Sequence, residues 1–127
     1  MLFKNVSIAG LAHVDAPHTL TSQEINERLK PTLDRLGIRV DVLGDIAGIH
    51  ARRMWDEDVQ ASDAATLAAR KALDDAGIDV GKVGLLVNTS VSRDFLEPST
   101  ASIVSGHLGV GEECMTFDVA NACLAFI

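Results

Sequence analysis

The chain has 127 residues, a hydrophobic content of 47% and a formal net charge of −7 at pH 7. That length suits about one domain with a core, and the acidic balance argues against a protein that follows nucleic-acid phosphates or binds an anionic membrane surface. The two Cys residues, without a visible secretory signal or long apolar span, predict a reduced, cytoplasmic protein with no membrane span. From the net charge, no nucleic-acid partner is expected.

The first third of the sequence predicts a strand followed by a helix. Residues 6–14 are an apolar run typical of a buried strand. Thr21 and Glu24 have the spacing of a capping box, and apolar residues at helical intervals then lead to Gly37, which suits a helix end. Pro31 interrupts the hydrogen-bond ladder, so one kinked helix and two short helices both remain possible.

The middle of the sequence predicts an irregular segment and then an alanine-rich helix. Residues 38–60 have two glycines and mixed charge but no regular apolar period. A helix is expected over residues 64–76, capped by Ser62 or Asp63 and closed by Gly77. Its inner face is mostly alanine, so we expect it to approach a sheet closely.

The last third predicts a strand, a helix and a second strand. Residues 83–87 are a short continuous apolar run, the pattern of a strand covered on both faces. A helix beginning at Pro98 and ending at Leu108, before Gly109, leads to a strand over residues 115–119. Alternating strands and helices indicate an α/β fold with a mainly parallel sheet.

Cys123 follows the last strand across a turn of small residues, and an apolar run begins there. This layout predicts a thiol at the N-terminus of a buried helix, where free N–H groups and the helix dipole favour the thiolate. The alternative is packing, because a free Cys usually behaves as a small buried hydrophobe. Cys114 lacks this context, so packing is its expected role, and a disulfide between the two is not expected.

Glu97, at the start of a predicted helix, has two interpretations. It can simply complement the helix dipole, or it can act as a general base if burial raises its pKa. The four His residues share no ligand spacing, so no metal site is expected. Arg52 and Arg53 could meet a phosphate-bearing cofactor, but an exposed, solvated pair is the default interpretation.

Four stretches of the sequence together resemble the thiolase superfamily: AGIHARR at 47–53, PSTA at 98–101, LG at 108–109 and FDVANAC at 117–123. Their order and spacing are similar to those in ketoacyl-ACP synthase III-type condensing enzymes. The residues themselves resemble still more closely those of the acyl-CoA condensing enzymes of long-chain olefin biosynthesis. The resemblance implies the N-terminal half of a thiolase-like fold, an α-β-α-β-α sandwich with a mainly parallel mixed sheet. It assigns residues 1–127 to most of that half, which is therefore incomplete, with the second half absent.

The resemblance also implies roles for single residues. Cys123 would be the nucleophile and acyl carrier, with its backbone N–H forming half of an oxyanion hole. Glu97 would be the general base, reaching across the interface of a homodimer. The family's partner His and Asn belong to the second half, so we expect the 127 residues alone to be inactive. CoA-contacting residues are not assigned, because the residues just before the Gly48-Ile49 pair differ from the usual CoA-gripping Arg or Trp.

The implied reaction is a non-decarboxylative Claisen condensation of two long-chain fatty acyl-CoAs to a β-keto acid, through an acyl group bound to Cys123. Acyl-CoA would be a substrate, no cofactor would be needed, and downstream olefin-pathway enzymes are possible partners. Two alternatives remain open. One is a 3-oxoacyl-ACP synthase III that uses a malonyl unit, and the other is a non-catalytic α/β interaction domain whose Cys only packs.

Overall fold

The computed structural model describes residues 4–38 and 42–126. By their internal contacts these residues separate into two compact units, one of Asp15–Glu57 and one of Met1–Val14 with Asp58–Ile127. Each unit has its own two-stranded sheet, antiparallel in the first and parallel in the second. None of the helices in the described residues has the length and apolar content that a membrane crossing needs.

The smaller unit contains β1 (His18–Thr21), α1 (Ser22–Leu36), a π-helical turn (Val42–Ile46) and β2 (Ala51–Met54). β1 and β2 pair antiparallel, with His18 opposite Met54 and Thr21 opposite Ala51. The expectation that residues 38–60 are irregular is therefore wrong for β2. Its sequence, Ala-Arg-Arg-Met, has no apolar alternation, so only the pairing with β1 defines it as a strand.

Helix α1 confirms its predicted start and end. The Thr21 hydroxyl accepts the Glu24 N–H at 3.1 Å, and the Thr21 N–H donates to the Glu24 carboxylate at 2.8 Å. The hydrogen bonds from the Thr21 hydroxyl and N–H hold the pKa of Glu24 below its ordinary value. Gly37 ends the helix in the left-handed region at φ 69°. The helix runs through Pro31 without a break, because Pro31 and Glu27, whose carbonyl loses its partner, are both exposed to water.

The predicted strand over residues 6–14 is not present. Val6, Ile8 and Leu11 are exposed, and no strand is assigned between residues 4 and 14. A strand needs a neighbour for its ladder, and no other strand of the described residues pairs with this segment. Gly10 instead lies against the helix Ala61–Ala76, so closely that a Cβ at residue 10 would stand 2.8 Å from the Ala72 carbonyl oxygen. An apolar run without a partner strand therefore stays extended coil.

Helix α2 (Ala61–Ala76) begins three residues earlier than predicted. Gln60 is its N-cap residue, and Asp63 accepts the Gln60 N–H at 3.0 Å from within the first turn. Asp63 is therefore not the N-cap residue. It lies in the first turn of the helix, and its carboxylate accepts the N–H of the N-cap residue, as in a capping box. The alanine face is half-buried along its length (Ala65, Ala68, Ala69, Ala72 and Ala76). Among the described residues its main contact is with the helix Thr100–Leu108, so the expected close approach to a sheet is wrong.

The parallel sheet of the larger unit consists of β3 (Leu85–Asn88) and β4 (Met115–Asp118), connected through α3 (Thr100–Leu108). Leu85 pairs with Met115 and Asn88 with Asp118. This confirms the parallel connection expected of an α/β fold. Helix α3 begins at Thr100 and not at Pro98, because Ser99 is the capping residue and its hydroxyl accepts the Ser102 N–H at 3.2 Å.

The core of the larger unit lies under α3. Ala101, Val104 and Leu108 are buried on one face of this helix, and α3 contacts both strands and α2. The expectation that β3 is covered on both faces is wrong, because Leu85 is 49% exposed and Val87 is also exposed. Successive strand residues point to opposite faces, so α3 covers one face of this sheet and leaves the other open.

Candidate active site

Cys123 lies where β4 gives way to a helical turn. Residues 119–121 follow the strand, and a 3₁₀ turn then spans Ala122–Leu124. Ala122 has φ 46°, the left-handed region that a residue with a Cβ rarely adopts. Strained backbone immediately before a potential nucleophile is the geometry of a nucleophile elbow, in which a sharp turn presents a side chain outward. The predicted strand–turn–helix layout around Cys123 is thus present in its first turn.

The predicted burial of that helix start is wrong for the described residues. The Cys123 side chain is exposed, and the helical segment is a three-residue 3₁₀ turn. So short a turn supplies little of the dipole of an α-helix, so the electrostatic argument for a thiolate stays a prediction. Cys114 is half-buried, and its thiol donates to the neighbouring Met115 carbonyl oxygen at 3.6 Å. This environment agrees with packing as the role of Cys114.

Asp118, the last residue of β4, connects three elements through its carboxylate. Oδ2 accepts the Thr100 N–H at 2.9 Å, and Oδ1 accepts the Ala101 N–H at 2.8 Å. The Asn88 side-chain amide at the end of β3 donates to Oδ1 at 3.2 Å. The carboxylate therefore satisfies two free N–H groups at the start of α3 and fixes the carboxyl ends of both strands.

Sequence reasoning missed Asp118 as a site residue. The available signal was an acidic residue ending a predicted strand, together with a helix N-terminus predicted near residue 98. Joining them requires knowing that the strand and the helix start are neighbours, and this is tertiary information. The Thr100 hydroxyl beside this carboxylate is buried and has no hydrogen-bond partner among residues 4–38 and 42–126.

Glu97 lies three residues before α3 and is exposed. In the described part of the chain its carboxylate makes no hydrogen bond or ion pair, and none joins it to Cys123. The burial that a general base requires is therefore not supplied by these residues. The carboxylate of Asp94, on the same loop, accepts the Ser62 N–H at 3.1 Å. This bond holds the loop near the start of α2.

The remaining candidate residues lie elsewhere. Arg52 and Arg53 belong to β2 of the smaller unit, where Arg53 is exposed and donates to the Thr19 hydroxyl at 2.7 Å. An open groove of about 410 Å³ between α2 and α3 is lined by Asp63, Thr66, Leu67 and His107. Within residues 4–38 and 42–126, no group of three or more His, Cys, Asp or Glu side chains has the arrangement of a metal site.

No family model matches the chain. The chain is 82% identical over all 127 residues to an acyl-CoA:acyl-CoA alkyltransferase of Xanthomonas campestris, of which it spans 38%. A crystal structure of cerulenin-bound OleA from the same species matches 99% of the chain and 37% of that protein, with 82% identity and a TM-score of 0.91. The chain carries the N-terminal part of a thiolase-like fold.

The expected resemblance to OleA-type condensing enzymes is thus confirmed over the whole chain. Other relatives bear another enzyme name. A beta-ketoacyl-ACP synthase III of Neisseria meningitidis is 41% identical over 80 residues, which is 63% of this chain and 25% of that protein. A crystal structure described as 3-oxoacyl-ACP synthase III from Xanthomonas oryzae is 83% identical, with a TM-score of 0.91, and the chain covers 37% of it.

The solved Xanthomonas campestris OleA structures include variants with a replaced glutamate and a variant with a replaced cysteine. In that protein these two positions lie as many residues apart as Glu97 and Cys123 do in this chain. Variants with a replaced histidine are also known, at a position well beyond the matched stretch. The chain spans little more than a third of these relatives, so the activity of the whole protein is argued below as a proposal.

Proposed function

We propose that the protein to which this chain belongs condenses two long-chain fatty acyl-CoAs without decarboxylation, with Cys123 as the nucleophile. One observation carries the proposal. Cys123 stands in a strand–turn–helical-turn elbow after a strained Ala122, in a chain 82% identical to an acyl-CoA:acyl-CoA alkyltransferase. A packing cysteine needs neither an exposed position nor a strained neighbour, so this placement favours chemistry at the sulfur.

The first half-reaction is transfer of an acyl group to Cys123. The thiolate attacks the thioester carbonyl carbon of an acyl-CoA, the carbon–sulfur bond to CoA breaks, and CoA leaves as its thiolate. The N–H groups bonded in the 3₁₀ turn are those of Leu124 and Ala125. The Cys123 N–H is therefore free, within the described residues, to donate to the developing oxyanion, with a second donor from outside this chain.

The second half-reaction forms the carbon–carbon bond. A base removes a proton from the carbon next to the carbonyl of a second acyl-CoA, and the resulting enolate attacks the Cys123 thioester. The Cys123 thiolate leaves, and hydrolysis of the remaining CoA thioester gives a β-keto acid. Unlike a malonyl unit, an unactivated acyl chain loses no carbon dioxide, so this route requires a base.

We assign that base to Glu97. Its spacing from Cys123, equal to that of the replaced glutamate and cysteine in the OleA variants, supports the assignment. Glu97 is exposed next to exposed Phe95 and Leu96, so a second surface is needed to remove water from the carboxylate. A second copy of the protein would supply that surface, and the protein would therefore act as a homodimer with Glu97 reaching into its partner's site.

The proposal extends to the surroundings of the reaction. The substrate would be long-chain acyl-CoA with no further cofactor, and residues 1–127 would form the first half of a two-half enzyme in the cytoplasm. The β-keto acid would pass to downstream enzymes of olefin formation. The net charge of −7 agrees with a protein that does not bind nucleic acid.

Acylation of the intact protein tests the nucleophile. Incubation with a long-chain acyl-CoA should release one CoA per site and add one acyl mass to the peptide containing Cys123, because the thioester forms before the second substrate reacts. Cys123→Ala should abolish both signals, and Cys114→Ala, the matched control, should keep them. An acyl group on Cys114, or none on Cys123 in the wild type, would contradict the proposal.

Separate measurement of the two half-reactions tests the base. Glu97→Ala should leave CoA release on acylation within about twofold, yet lower formation of the β-keto product by about 10²–10⁴-fold, the range of general-base catalysis. Glu113→Ala, a substitution of another exposed glutamate, is the control and should leave both steps unchanged. Loss of acylation along with condensation in Glu97→Ala would exclude a dedicated base.

A malonyl-using 3-oxoacyl-ACP synthase III is the second candidate, favoured by the name of the 83% identical Xanthomonas oryzae structure. Acyl-CoA offered alone should give the β-keto acid on the first proposal and no carbon–carbon bond on the second. Malonyl-ACP offered with acyl-CoA should give a β-ketoacyl-ACP, with release of carbon dioxide, only on the second. A non-catalytic interaction domain predicts an inert Cys123 under both conditions.

A further inference from the structure

The loop that carries Glu97 is fixed at both ends by carboxylates that accept N–H groups from helix starts. We call residues 94–100 the Glu97 arch. At its first residue, Asp94 accepts the Ser62 N–H in the first turn of α2 at 3.1 Å. At its last residue, the Thr100 N–H donates to Asp118 at 2.9 Å, and the adjoining Ala101 N–H donates to it at 2.8 Å.

The residues whose N–H groups bond the two anchoring carboxylates are buried, whereas the middle of the arch is exposed. Ser62 is 1% exposed, Thr100 is 1% exposed and Ala101 is 0% exposed. Between the anchors, Phe95 and Leu96 are 58% and 79% exposed, and Glu97 is exposed as well. Hydrogen bonds to a carboxylate at a helix N-terminus are strengthened by charge and by the helix dipole. The arch therefore presents Glu97 outward from two fixed points.

We propose that Asp94 and Asp118 are positioning residues for the Glu97 carboxylate, holding the arch at the distance that proton removal requires. The inference rests on the proposed function, in which Glu97 is the base for condensation. A general base must come within hydrogen-bonding reach of the proton it removes. A displacement of about 1 Å can lower the rate about 10²-fold, so the anchors of an otherwise exposed loop matter to the reaction.

The two anchors differ in what else they hold. Asp118 also accepts the Asn88 side-chain amide at 3.2 Å and lies five residues before Cys123. Loss of Asp118 should therefore disturb both the arch and the turn that carries the nucleophile. Within residues 4–38 and 42–126, Asp94 bonds only the start of α2, so its loss should displace Glu97 and leave the Cys123 turn in place. Asp94 is the sharper test.

The experiment measures acylation of Cys123 and formation of the β-keto product separately in the intact protein, with a long-chain acyl-CoA as the only substrate. Asp94→Ala should keep acylation within about twofold and lower condensation about 10²-fold, the cost of a misplaced group. Asp94→Asn keeps a side-chain oxygen that accepts the Ser62 N–H and should restore most of the lost rate. A residue with only a stability role would not separate the two half-reactions.

Asp63→Ala is the matched control. Asp63 is a second carboxylate in the first turn of α2, where it accepts the Gln60 N–H at 3.0 Å, but it is not part of the arch. It should lower the melting temperature about as much as Asp94→Ala and leave both half-reactions within about twofold, since the two changes remove similar bonds from one helix start.

Three outcomes with the alanine variants would overturn the inference. These are wild-type condensation in Asp94→Ala, equal loss of acylation and condensation in that variant, and loss of condensation in Asp63→Ala to the same extent. Failure of Asp94→Asn to recover activity while its melting temperature matches the wild type would overturn it as well. A wild-type protein that does not acylate Cys123 would instead overturn the proposed function, and the inference with it.

Discussion

The residues around Asp118, Thr100 and Ala101, here called the corner, lie close in the fold to the chain that leads to Cys123. The corner and the turn at Cys123 differ in burial and hydrogen bonding. At the corner, the Thr100 and Ala101 N–H groups are buried and bonded to one carboxylate, above the buried side chains of Val104 and Leu108. Five residues after Asp118, Cys123 is exposed and follows a residue at φ 46°. The described residues thus bury and bond the region around Asp118, whereas they leave Cys123 exposed.

The largest effect should come from the buried side of this comparison. Leu108→Ala should lower the free energy of unfolding by about 2–5 kcal/mol, because it removes a large side chain beneath α3 and leaves a cavity. Leu36→Ala, a substitution of a 62% exposed leucine, should change it by less than about 0.5 kcal/mol. Chemical denaturation of the intact protein measures both, and equal effects would remove the distinction between corner and surface.

A smaller effect should come from the one unsatisfied atom of the corner. Thr100→Val replaces a buried hydroxyl without a partner in the described residues by a methyl group of similar size. The free energy of unfolding should rise by about 1 kcal/mol, because the desolvated hydroxyl gains nothing in return for its burial. Denaturation with Thr100→Ser, which keeps the hydroxyl, is the control. A loss of stability in Thr100→Val would mean that the hydroxyl has a partner outside the described residues.

The smallest effect on stability should come from the strained Ala122 in the turn at Cys123. Ala122→Gly should raise the free energy of unfolding by about 0.5 kcal/mol. Relief of the left-handed backbone, a cost of about 1–2 kcal/mol, is partly offset by the greater chain entropy of glycine. Ala120→Gly, two residues earlier, should lower stability. A loss of stability in Ala122→Gly would show that the turn is not strained, and would weaken the elbow interpretation of Cys123.

Elements set by local chemistry were predictable from the sequence. The Thr21–Glu24 capping box, the glycine ends of all three α-helices and the strand before Cys123 are present as expected. Each depends on groups a few residues apart, so the chain alone contains the information. The Cys123 turn was identified for the same reason, since a strand, small residues and an apolar run follow one another directly in the sequence.

Elements set by distant partners were not predictable. Residues 6–14 have the composition of a strand but no partner strand, and β2 has no strand pattern but pairs with β1. Helix α2 begins earlier than predicted because Asp63, in its first turn, accepts the Gln60 N–H. Among the candidate site residues, Cys123 and Glu97 are exposed in the described part of the chain, so their proposed roles require burial that these residues do not supply.

The sequence by itself determined the thiolase-like pattern, the helix ends and the placement of Cys123 after a strand, because short-range spacing encodes all three. Only the tertiary structure decided that Asp118 joins β3, β4 and α3, and that Asp94 ties the loop of Glu97 to α2. Those bonds connect residues 18 to 32 positions apart. The position of a carboxylate in the sequence does not show which distant N–H it will accept. The partner is therefore decided only when the chain folds.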